Sequence, residues 1–116
     1  MTRQELYNLL ITIADVSPVS NIKHEVTKER IVIQYGGTTN SLNNPLCGWD
    51  NWDIILLVPG KSIIVLDRLE NNVRTSLKTI NGIEFILDGW GAEHYDETLK
   101  AYYKTIRFRV PHEFVN

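Results

Sequence analysis

The chain has 116 residues, 43% hydrophobic and 22% charged, the balance of an ordinary folded domain rather than a disordered segment. Its formal net charge of −2 lacks the basic surplus of a dedicated nucleic-acid binder, and a lone cysteine, Cys47, excludes an internal disulfide. The longest apolar run, 54–58, is too short to cross a bilayer, and the first residues lack a signal peptide's basic and apolar regions, so one soluble cytoplasmic domain is expected.

Thr2-Arg3-Gln4-Glu5 forms a capping box, followed by Leu6, Leu9, Leu10 and Ile13 at helical spacing. This predicts a first helix over 3–14, stopped before Ser17-Pro18 because the residue preceding proline leaves the α region. Ile22, His24 and Val26 alternate with Lys23 and Glu25 and predict a strand over 22–26. The β-branched run 31–35 predicts a second strand, and the short connection makes the two an antiparallel pair. Residues 36–48, rich in Gly, Thr, Asn and Ser, read as a long exposed loop. A central strand is predicted over 49–58, with Trp52, Ile54, Leu56 and Val58 on one face and Asp53, Ile55 and Leu57 on the other.

A second helix opens at Lys61 or Ser62, carries Leu66, Leu69, Val73 and Leu77 as its stripe, and closes at Asn81-Gly82. A strand over 83–87, a second loop over 88–97 and a last strand over 99–110 complete the chain, with Pro111 as the stop. Tyr102, Ile106, Phe108 and Val110 are expected on one face of that strand, with Lys104, Arg107 and Arg109 elsewhere. The predicted order is α-β-β-β-α-β-β, an α+β domain over 1–116 whose antiparallel or mixed sheet carries two helices on one face.

The residues capable of chemistry are scattered. His24, His94 and His112 fall on three elements with no metal-ligand spacing. The run Glu93-His94-Tyr95-Asp96 offers a nitrogen and carboxylates, but neighbours on one loop seldom converge without a second element, and a solvated loop is the plainer reading. Cys47 has no basic neighbour to activate it. Asp50 and Asp53 point to opposite faces of a strand and make no carboxylate pair. Gly36-Gly37-Thr38-Thr39 lacks the lysine and frame of a phosphate loop. Lys100, Lys104, Arg107 and Arg109 are divided between two strand faces, which suits a solvated surface better than a nucleic-acid face. No catalytic residue, cofactor or metal is expected. Trp49 and Trp90, each beside a glycine, are either anchors for a partner or lids folded over the sheet edge.

The run Trp52-Asp53-Ile54, through Val58-Pro59-Gly60-Lys61-Ser62, into Leu66-Asp67-Arg68-Leu69 and Val73 resembles small phage tail-assembly proteins. The element order resembles the tail terminator, or tail-completion, proteins of long-tailed phages and prophages. That resemblance implies a virion protein rather than an enzyme. Such proteins assemble in the host cytoplasm as a ring, usually a hexamer, on the last tail-tube ring. They stop tube growth and present the surface to which a filled head attaches.

The implied partners are further copies of the chain, the tail tube protein and a head-completion or neck protein; DNA passes the lumen without specific binding, and no membrane takes part. Contacts are expected in the two long loops, read as lying at opposite ends of the strands: Asn40, Leu42, Leu46 and Trp49 in or beside the first, Trp90, Glu93, His94 and Tyr95 in the second. The asparagine-rich stretch 37–44 matches no family pattern. Three other readings stay open: a head-closure or neck protein of the same junction, a small cytoplasmic enzyme or ligand-binding domain, and a regulatory partner protein.

Overall fold

The computed structural model describes residues 2–18, 27–40, 48–60, 62–86 and 93–112. Helix α1, Arg3–Leu10, begins at Thr2, whose hydroxyl accepts from the Glu5 amide at 3.2 Å. The helix is shorter than its apolar stripe predicts. After Leu10 the chain tightens into turns, with the Ile13 and Ala14 amides donating to the Leu10 carbonyl, and Ile13 still packs on the core.

A strand then appears where none is expected: β1, Asp15–Pro18, runs parallel to β2, Arg30–Asn40. Four residues ending in proline give no alternation signal; among the described residues β1 is paired on one side only, a position that tolerates proline. Lys28 forms an ion pair with Asp15 beside this pairing. The expected strand over 22–26 lies outside the described residues, so the described partners of β2 are β1 and, antiparallel, β3, Gly48–Pro59.

Helix α2, Ile63–Leu77, starts at Ser62, whose hydroxyl accepts from the Val65 amide, and buries the four predicted residues Leu66, Leu69, Val73 and Leu77. Gly82, with φ +78°, takes the left-handed turn after it and lies so close to Pro111 that a Cβ would meet the proline ring at 3.0 Å. Strands β4, Glu84–Ile86, and β5, His94–Asp96, both pair with the long β6, Ala101–His112. The sheet order is β1-β2-β3-β6-β4, with β5 on the same flank of β6 as β4. Among the described residues this is a mixed sheet of six strands with two helices, an α+β domain.

Both helices lie on one face, over Ile31, Ile33, Trp52, Ile54, Leu56, Val58, Ile106, Phe108 and Val110. The apolar stripes of both helices and the expected faces of the third and last strands all meet there, with Leu9, Ile13 and Tyr102 only partly buried. The opposite face has a smaller cluster of Val32, Leu57 and Ala101, edged by Ile55, Leu99 and Tyr103, so the central strand β3 is covered on both sides at this end. Lys104 departs from its expected side. It shares the even-numbered face with Tyr102 and Ile106, and its Nζ lies 2.9 Å from a Glu70 carboxylate oxygen on α2. Pro111 does not end β6 but pairs with Trp49; β4 reaches only as far as Arg109, so β6 has no partner on that side beyond it among the described residues.

Leu69 is 3% exposed between α2 and the sheet. Leu69→Ala is expected to cost about 2–5 kcal/mol in chemical denaturation, through lost apolar burial and the cavity left behind. Unchanged stability would mean that the helix presents another face to the sheet.

Candidate functional site

Strand β3, twelve residues, spans about 40 Å, whereas α2, fifteen residues, covers only about 22 Å. The central strands therefore outrun the helices. Past Trp52 and Val110 the helix-side face changes from apolar to polar, and there Asp50 is the one buried charged side chain among the described residues, 6% exposed.

A β-bulge builds the surroundings of Asp50. Tyr35 lies opposite Trp52 and Thr38 opposite Asp50, so β2 takes three steps where β3 takes two. The additional residue falls at Gly36-Gly37, with Gly37 at φ +90°, and it turns Thr38 onto the same face as Tyr35. The hydroxyls of Thr38 and Tyr35 donate to Asp50 Oδ1 at 2.8 and 3.2 Å and lie 2.5 Å from each other. From β6, His112 Nδ1 donates to the same oxygen at 2.8 Å. Burial on its own would raise the Asp50 carboxyl. The hydrogen bonds from His112, Thr38 and Tyr35, with the charge of His112, together outweigh it and hold the group below its ordinary value.

The helix-free face carries a separate row of charges. Arg107 grips Asp53 across the β3–β6 pair, with Nε and Nη2 at 2.8 and 3.2 Å from its two oxygens. Next to it Arg109 donates to Glu84 at 2.8 Å, and its guanidinium lies 4.0 Å above the Trp49 ring. Trp49 is thus held within the sheet by a cation–π contact, closer to the folded-back reading than to a free anchor.

The two flanks of the sheet differ. Between α1 and β1 lies a hollow of about 310 Å³, lined among the described residues by Arg3, Gln4, Tyr7, Val16, Ser17 and Ile33. On the other flank, β5 displays His94 stacked on Tyr103 at 5.3 Å and Tyr95 set edge-on to Tyr102 at 5.1 Å, with Tyr95 41% exposed.

Among the described residues, the expected contact residues fall in two separate places. Asn40 ends β2 with its backbone paired to Gly48; Glu93, exposed, precedes β5, which holds His94 and Tyr95. Leu42, Leu46 and Trp90 lie outside the described residues, as does Cys47. Both expected loops are also shorter than composition suggests. Residues 36–40 are strand because the bulge lets β2 continue, and 94–96 are strand because β6 offers a pairing edge. The described residues that flank the first, Asn40 and Gly48, pair beside His112, while β4 and β5, which flank the second, pair along a single edge of β6.

The contact that sequence reasoning missed is Asp50 with His112, 62 positions apart. No local pattern marks it, because the register of β6 on β3 creates it. Among the described residues, no three His, Cys, Asp or Glu side chains converge as a metal-binding group, and no helix is long and apolar enough to cross a membrane. No protein-family model matches the chain, and no curated protein matches it significantly.

Proposed function

We propose that this chain is a structural protein of the phage virion that caps the tail tube and forms the head–tail joining surface as a homo-oligomeric, most often hexameric, ring. It acts without a cofactor. The reading rests on the resemblance of residues 52–73 and of the predicted element order to tail terminators. The observation that supports it best is the unlikeness of the two sheet flanks. A ring closes by heterologous contacts, so each subunit must offer two different surfaces on opposite sides. Here one flank is concave and largely apolar beside Tyr7 and Val16, and the other carries exposed His94 and Tyr95.

Negative-stain microscopy of the concentrated protein, alone and mixed with tail tubes, tests the proposal. Rings seated on tube ends are expected. Binding to neck components without tube binding would favour the head-closure reading instead. Replacing Trp90 and Tyr95 together by alanine is expected to leave folding intact and produce tails that are overlong or cannot take heads. Normal-length infectious particles from that double variant would remove the second loop from the interface, and a wild-type protein absent from every virion would end the family reading.

The hollow beside Tyr7 favours a second reading, a small ligand-binding domain, since an apolar concavity with Arg3, Gln4 and Ser17 at its wall suits a small amphipathic molecule. A ligand that raises the melting temperature of the wild type, but not of Tyr7→Ala, would support it.

A further inference from the structure

We infer that Asp50 and His112 form an acid-released clasp that holds the ends of β2, β3 and β6 together beyond the helices, making this end of the sheet a unit that opens separately from the core. The inference is independent of the virion reading.

The clasp spans three strands. Asp50 stands opposite Thr38 on one side and Val110 on the other, and His112 stands opposite Gly48. Up to Trp52 and Val110 the helix-side face is cemented by apolar packing; past them, among the described residues, the side-chain links between different strands on this face include those of Tyr35, Thr38 and His112 to Asp50. Hydrogen bonds without an apolar backing give little net stability to a strand end, whereas bonds to an ionised acceptor are roughly twice as strong as neutral ones. One carboxylate oxygen receives all three described donors, so removing its charge weakens all three contacts at once.

The groups facing Asp50 among the described residues are Tyr35 and Thr38 from β2 and His112 from β6, and its own strand contributes no second charge on this face. His112 Nδ1 can donate whether the ring is neutral or charged, so the acidic limit of the clasp is set by Asp50. The Asp50 carboxyl lies below its unfolded value of 3.8. The stabilisation it brings is therefore complete above that value and disappears as pH falls through the lower, folded one.

Amide hydrogen exchange by NMR, expressed as protection factors to remove the intrinsic pH dependence, reads the clasp directly. At neutral pH, Asp50→Asn keeps the side-chain shape without the charge. It is expected to lower protection at least tenfold for amides within 38–40 and 48–50 and for those of Val110 and His112, and by less than twofold for 54–57 and 104–108. Acidifying the wild type is expected to reproduce that selective loss, with a midpoint matching the Asp50 carboxyl carbon shift, and Asp50→Asn should show no such transition. Equal protection of the strand ends in the variant, or the same acid transition in its presence, would overturn the inference. Should Asp50→Asn fail to fold, the wild-type titration decides: strand-end amides that open at a midpoint different from that of the Asp50 carboxyl would refute the clasp.

Discussion

Phe108→Ala is expected to destabilise the protein by about 3–5 kcal/mol, the largest effect of any single truncation proposed for this chain. Phe108 is fully buried at the centre of β6, opposite Trp52 on β3 and Phe85 on β4. The Phe85 ring meets it edge-on at 6.5 Å, an arrangement that adds to the value of burial alone. Both neighbours are held by strand pairing, so they cannot collapse far into the space left behind, and the cavity term is paid nearly in full. Urea unfolding at neutral pH checks it. A loss below about 1.5 kcal/mol would mean that the site relaxes as a loosely packed edge does. Phe108→Leu, which preserves most of the volume, should recover more than half of the loss.

Glu70→Ala is expected to cost about 3 kcal/mol, the low end of the range for breaking a buried ion pair. Glu70 takes the Lys104 ammonium at 2.9 and 3.0 Å through its two oxygens, and Arg74 approaches one of them at 3.5 Å. The Lys104 side chain is only 12% exposed, and that of Glu70 17%. Without the carboxylate, the ammonium must either stay poorly solvated or move out toward water. The low end of the range applies because water still reaches part of the pair. Since the cost comes from the stranded charge, adding Lys104→Met to Glu70→Ala should restore most of the stability. A Glu70→Ala protein within about 0.5 kcal/mol of the wild type would place this pair with ordinary surface ion pairs.

What the sequence by itself determined is whatever has a local period. Leu66, Leu69, Val73 and Leu77 recur at helical spacing, and only one face of a helix can hold such a stripe, so the packing side of α2 was readable without a fold. Alternation along β3 likewise identified Trp52, Ile54, Leu56 and Val58 as one buried face. Thr2 and Ser62 announced their helix starts because a cap acts on amides only three residues away.

Tertiary structure decided the rest, because strand pairing has no local signature. Asp15–Pro18 became a strand only by lying beside Arg30–Ile33, and composition there argued for a break. Gly36-Gly37 read as the start of a loop, yet in the sheet the pair makes a bulge that carries β2 on to Asn40. Lys104 looked like one of several solvated charges until α2 set Glu70 above it. Asp50 and His112 meet because β3 and β6 run antiparallel in one particular register; a slip of one residue would send the two side chains to opposite faces of the sheet.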